Sequence, residues 1–172
     1  SGIKLTQSGS NTIGGTSAQA RNVISGNDLE GIVLDGNATT GNVIAGNYIG
    51  TDQSGSAIVA NGSNGKGNGI GAYNGAHHNT IGGTAAGAGN LLSGNTDNGI
   101  AFAGTGVSAN TVQGNVIGLD ATQTKVIANT NQGIWIGAGA SGNTIGGDIA
   151  GAGNVVSGHQ WAGIELHGVG TN

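Results

Sequence analysis

Apolar residues in this chain fall in short β-branched runs, each bounded by Gly or Asn. That punctuation predicts strands. No stripe of helical period marks an amphipathic helix. The runs also recur at fixed distances. Asn11-Thr12-Ile13-Gly14-Gly15 returns at Asn79–Gly83 and again at Asn143–Gly147, at two nearly equal steps. A finer unit opens on a Gly-Ile pair, at Ile3, Ile32, Ile70, Ile100, Ile134 and Ile164. Short and long steps alternate between these isoleucines, which is the mark of a repeat architecture. Each unit carries a second run opening at Asn11, Asn42, Asn79, Asn110 and Asn143, and a third at Asn22, Asn47, Asn90, Asn115 and Asn154.

Three short strands per unit at near-constant spacing predict an all-β fold, a parallel β-solenoid with a three-sided coil. About five and a half coils, roughly 4.8 Å apart, make a rod on the order of 25 Å long. Residues 1–172 read as a single repeat domain with no visible boundary. Three inner columns follow from stacking. The six Gly-Ile isoleucines form one. Ile13, Ile44, Ile81, Val112 and Ile145 form the second, and Ile24, Ile49, Leu92, Ile117 and Val156 the third. No single coil buries these side chains alone, which is why such a chain must repeat. The two asparagine columns predict stacked amides at the corners, on a backbone that Asn tolerates in the left-handed region.

Composition narrows the picture. Glycine is abundant, 39 residues, but proline is absent, which excludes collagen. Only 7% of residues are charged and β-branched residues recur, which is not the signature of disorder. Four cations, Lys4, Arg21, Lys66 and Lys125, against a net charge of −4 argue against a nucleic-acid face. Without cysteine there is no disulfide framework and no zinc–thiolate site. No apolar run approaches the length that a membrane-spanning helix needs. The chain opens on Ser1 and lacks methionine, so it reads as a mature piece or an excised segment.

The cadence NTIGG, NVISGN, GNYIGTD and GI resembles the right-handed parallel β-helix repeat proteins of bacterial secreted and cell-surface polypeptides, and is similar in fold to pectate lyase-like proteins. The likeness covers the chain from Gly2 to about Gly168. It implies a right-handed three-sided β-helix and a secreted or surface location. It implies no single activity, since such a scaffold hosts lyases, hydrolases, adhesins and fibres. The polygalacturonase-type acidic dyad and its Gly-His-Gly and Arg-x-Lys segments are missing. Arg21, the one arginine, has no carboxylate cluster near it in sequence. No cofactor is called for, and calcium is not indicated.

Candidate chemistry is sparse. Asp52 and Asp120 occupy equivalent places in Ile-Gly-Thr-Asp and Ile-Gly-Leu-Asp, two coils or about 9.6 Å apart. An inverting glycosidase pair uses about 6.5–9.5 Å. The structural reading of the same residues is a turn former at the start of each long excursion, 51–68 and 119–132. Strand alternation places Trp135, Glu165, His167 and Tyr73 outward on the Gly-Ile face. An exposed indole beside a carboxylate suits sugar, the ring stacking on a pyranose while the carboxylate accepts its hydroxyls, and Glu165 is the candidate acid there. His77 and His78 read as solvated turn residues. Thr12, Val43, Thr80, Thr111 and Thr144 face outward in the second strand, a threonine row of the kind an ice-binding solenoid uses, although it is a single column and Thr is also simply a good strand residue. In the third strand Val23, Tyr48, Leu91, Val116 and Val155 form an outward apolar stripe, to be covered by the long loops or by a partner.

The expected function is therefore a structural repeat module of an extracellular or cell-surface fibre, stalk or adhesin. It shows no evident caps, and would stack end to end on its own copies or on flanking β-helix repeats through open strand edges. The rival expectation is a polysaccharide-binding or polysaccharide-degrading module. Ice binding is the third. The balance of residues is against an enzyme.

Overall fold

A computed structural model describes residues 1–168. Its strands build three all-parallel sheets that wind as a three-sided β-helix, confirming the fold expected from the repeat. Sheet A has six strands, Ile3–Thr6, Ile32–Asp35, Ile70–Tyr73, Ile100–Ala103, Ile134–Gly137 and Ile164–His167. Sheet B has five, Thr12–Gly14, Val43–Ala45, Thr80–Gly82, Thr111–Gln113 and Thr144–Ile145. Sheet C has five shorter ones, Val23–Ile24, Tyr48–Ile49, Leu91–Leu92, Val116–Ile117 and Val155–Val156. Every strand pairs with its equivalent one coil away. A single 3-10 turn, Ala18–Ala20, is the one helical element among the described residues, and no helix there is long and apolar enough to cross a membrane.

The registers carry the inner columns. Ile3 pairs with Ile32, Ile32 with Ile70, and so on through Ile100 and Ile134 to Ile164. From Ile32 to Ile134 these side chains are fully buried. The columns of sheets B and C match the predicted ones. Sheet A strands are long enough to turn a second residue inward, so Leu5, Leu34, Ala72, Phe102, Ile136 and Leu166 make a fourth column. Each large aliphatic or aromatic side chain fully buried this way contributes about 1.5–3 kcal/mol.

Asparagine ladders hold the corners. Along Asn11, Asn42, Asn79, Asn110 and Asn143, the backbone N–H and Nδ2 of each residue donate to Oδ1 of the next. Asn22, Asn47, Asn90, Asn115 and Asn154 do the same. A third ladder, Asn27, Asn61, Asn95 and Asn129, ends on His159, whose Nε2 accepts from Asn129 Nδ2 at 3.1 Å.

The ladder asparagines do not adopt the left-handed backbone that their corner positions predict. That conformation belongs to the residue just before each one in the first ladder: Ser10, Gly41, His78, Ala109 and Gly142, with φ between 52° and 67°. The physical reason is that the chain must turn before the Asn side chain can lie flat between coils. The ladder residue then keeps a backbone from which its N–H reaches the next coil.

The long excursions fold back over sheet C. Thr51 bridges Ile58 and Leu119 bridges Val126, both antiparallel. A Cβ placed on Gly55 would lie 2.9 Å from both Leu91 Cδ2 and Tyr48 Cε2, so the first loop lies directly on the apolar stripe. Leu91 is buried as a result. The Arg21 guanidinium sits 4.0 Å from the Tyr48 ring centroid, while Val23 and Val155, at the two ends of the stripe, stay exposed.

Candidate groove on sheet A

The outer face of sheet A is the least regular surface of the rod. Its outward row reads Lys4, Val33, Gly71, Ala101, Trp135, Glu165, and the next row Thr6, Asp35, Tyr73, Ala103, Gly137, His167. Small residues in these rows leave room for large ones. A Cβ at Gly71 would lie 2.6 Å from Cε2 of Tyr73, and one at Gly137 would overlap Cζ2 and Cη2 of Trp135. Each aromatic ring therefore lies down over a glycine of its own strand instead of standing off the sheet. The two rings are two coils, about 9.6 Å, apart. Between them the floor is Ala101, and the result is a groove of about 320 Å³ lined by Asn68, Tyr73, Asp97, Asn98, Ala101, Asn131, Gln132 and Trp135.

The groove wall comes from the turn that feeds sheet A. Glu30, Asn68, Asn98 and Gln132 each stand two places before the strand isoleucine. They form a fourth polar row. Asn68 Nδ2 donates to Glu30 Oε1 at 2.8 Å, Asn98 Nδ2 to Asn68 Oδ1 at 2.8 Å, and Gln132 N–H to Asn98 Oδ1 at 3.1 Å. One position earlier, Asp97 Oδ1 accepts from Asn131 Nδ2 at 2.7 Å and from Asn98 Nδ2 at 3.1 Å. The Tyr73 hydroxyl donates to Glu30 Oε1 and accepts from Asn68 Nδ2 at 3.0 Å. Burial and the Glu30 carboxylate both push the Tyr73 phenol above its usual range, so it stays protonated and serves as a donor. Gln132 Nε2 donates to Glu165 Oε2, and His167 Nδ1 lies 3.4 Å from Glu165 Oε1. At the other end Lys4 pairs with Asp35 at 3.1 Å.

The structure thus brings Tyr73, Trp135, Glu165 and His167 onto one face, as strand alternation placed them. Sequence reasoning missed the wall: Glu30, Asn68, Asp97, Asn98, Asn131 and Gln132. Their constant offset before each Gly-Ile pair was the available signal. It also missed Trp161, which is 73% exposed and holds the place on the last coil that Asp97 and Asn131 hold on theirs.

Asp52 and Asp120 are not brought to this face. Each closes its own loop. Asp52 accepts from the Ser54 hydroxyl at 2.7 Å and from Ser56 and Ala57 N–H at 3.0 and 3.1 Å. Asp120 accepts from the Thr122 hydroxyl at 2.7 Å and from Thr124 and Lys125 N–H at 2.9 and 3.0 Å. These bonds hold both carboxyls below the ordinary Asp range, which suits a turn former. Arg21 is held away from sheet A too, its Nε donating to Gly46 O at 3.3 Å. His77 and His78 meet edge to face at 5.1 Å, and no group of three or more potential ligands able to hold a metal occurs among the described residues. On sheet B the threonine row is one residue wide and interrupted by Val43. Comparison with protein-family models, with curated proteins and with solved structures gives no match, so the functional reading rests on this geometry.

Proposed function

We propose that the chain is a module of an extracellular or cell-surface fibre, stalk or adhesin whose sheet A groove binds polysaccharide. The observation that carries the binding is the pair of rings laid down over Gly71 and Gly137, two coils apart, with an amide and carboxylate rim between them. An aromatic platform offers the apolar face that a pyranose stacks on. The rim offers the donors and acceptors that fix its hydroxyls, the combination that small-molecule sites need. The Trp135 indole N–H and Asp97 Oδ2 have no hydrogen-bond partner among the described residues, which leaves both for a ligand. The likeness to pectate lyase-like right-handed β-helices supports the same reading, by analogy of scaffold alone. No reaction is proposed: Asp97 is the one carboxylate among the residues that line the groove, and the loop aspartates lie elsewhere.

The test is retention on affinity gels cast with a broad polysaccharide panel. Retardation that disappears in Trp135→Ala and Tyr73→Ala, and persists in the sheet B control Thr111→Ala, is the expected result. No retardation on any polysaccharide would sink the proposal.

End-to-end stacking of coils is a second reading, favoured by the ladders. Asn11, Asn22 and Asn27 present Oδ1 atoms that accept no bond among the described residues, while the N–H groups of Asn143 and Asn154 donate none there. Acceptors at one end and donors at the other fit a further coil added head to tail. Light scattering and electron microscopy showing only single rods at high concentration would remove self-stacking.

A further inference from the structure

We infer that the polysaccharide held in the sheet A groove is one that carries free amino groups, an amino-sugar polymer rather than a uronate. The inference rests on the polysaccharide reading above. It follows from where the charge lies. The chain has eight acidic residues, and four of them, Glu30, Asp35, Asp97 and Glu165, stand along this one face. The cation on its strands, Lys4, is already paired with Asp35 at 3.1 Å. Lys66 is exposed on the turn ahead of Asn68, outside the groove lining.

Two of these carboxylates are also half used. Asp97 is held through Oδ1 alone, by Asn98 and Asn131, and Oδ2 accepts nothing among the described residues. Glu30 is held through Oε1 alone, by Asn68 and the Tyr73 hydroxyl, and Oε2 is likewise without a donor there. The amides thus fix each carboxylate in place and leave one oxygen of each without a protein donor, beside the aromatic platforms. An ammonium group carried on a pyranose ring satisfies that arrangement, stacking through the ring and donating to a fixed carboxylate. A uronate chain would set its carboxylates against these four, and like charges at such range cost affinity instead of adding it.

Titration calorimetry on the whole chain, at a mildly acidic pH where the glucosamine amine is protonated, tests this with three hexamers: chitosan, its fully acetylated counterpart and galacturonate. The chitosan hexamer is expected to bind at least about tenfold more tightly than the acetylated one, and the galacturonate hexamer not to bind. Asp97→Asn should bring chitosan affinity down to that of the acetylated hexamer and flatten the dependence on salt. Trp135→Ala should remove binding of both.

Galacturonate binding as tightly as chitosan would overturn the inference and leave the polysaccharide reading standing. Equal affinity for the chitosan and acetylated hexamers would do the same. Chitosan binding that survives Trp135→Ala is attraction to an acidic rod and would also overturn it. Failure of every polysaccharide on the broad panel removes the parent reading instead. Circular dichroism of each variant checks that the solenoid is intact.

Discussion

Two polar rows run along this rod, and they obey different rules. The ladder of Asn22, Asn47, Asn90, Asn115 and Asn154 uses one residue type throughout. The row of Glu30, Asn68, Asn98 and Gln132, at the turn into sheet A, mixes three types. The first is sealed between coils. Asn90 is 1% exposed; its Nδ2 donates to Ile44 O at 2.8 Å and to Asn115 Oδ1 at 3.0 Å, and its Oδ1 accepts from Asn47 N–H and Nδ2. Only a side chain with this reach, one acceptor and two donors completes the set. The second row borders the groove, its middle members Asn68 and Asn98 buried and its end members Glu30 and Gln132 half-buried. Its members reach neighbours by different atoms, and a mismatch there can be made good by water. Repetition marks where packing dictates the residue, and departure from repetition marks where the surface is free to carry chemistry.

The largest effect expected from breaking this contrast is Asn90→Ala. It leaves Asn47 N–H buried without a partner, takes one of the donors from Ile44 O and one from Asn115 Oδ1, and should cost about 3–5 kcal/mol. Gln132→Ala in the other row should cost less than about 1 kcal/mol. Urea unfolding followed by circular dichroism measures both. Comparable losses would mean that the two rows are not different in kind.

Gly137→Ala comes next. The new Cβ overlaps the Trp135 ring, but that ring is half-exposed and can swing off the sheet, so the loss of stability is about 1–2 kcal/mol while polysaccharide retention disappears. Trp135 fluorescence in a Trp161→Phe background should report a more solvated indole. Unchanged emission would mean that the ring does not lie over this glycine.

Ala109 stands at φ 52° just before a ladder asparagine, where Gly41 and Gly142 stand on other coils. Ala109→Gly removes a steric penalty of about 1–2 kcal/mol and loosens the unfolded chain by somewhat less. A net gain of at most about 1 kcal/mol follows, and a measured loss would contradict the strain.

The smallest effect at neutral pH is His159→Asn, and it grows as pH falls. Burial holds His159 below the ordinary value of 6.5, and its Nε2 must stay unprotonated to accept from Asn129. A group depressed in the folded state stabilises fully above the unfolded value; that contribution is lost as pH drops below about 6.5 and through the folded value. The wild type should lose stability over that window, and the Asn variant should follow a flatter curve there.

How far the sequence can be read depends on the row. The isoleucine columns and two asparagine ladders were legible because burial between identical coils forces the same residue every turn. Phe102 and Leu34 were passed over because their column mixes Leu, Ala, Phe and Ile, whose volumes compensate across coils instead of matching. The third ladder was obscured by the long excursions, which set Asn61 and Asn129 far beyond their strands while Asn27, Asn95 and His159 follow theirs closely. Left-handed turns at Ser10, His78 and Ala109 left no glycine to point to them.

The groove shows the same division. Alternation alone put Trp135, Glu165, His167 and Tyr73 on one face, because side chains in a strand must alternate. It could not say that the rings lie down over Gly71 and Gly137, or that Asp97, on the turn into the preceding coil, forms the wall beside Trp135. The sequence by itself determined the coil, its period and its buried columns, since those rest on local alternation and on repetition that stacking enforces. The tertiary structure alone decided which turn residues meet across coils, which carboxylate oxygens remain without a donor and which aspartates spend their bonds closing loops. Such meetings depend on register and on side-chain direction between segments a full coil apart along the chain, and no local pattern encodes them.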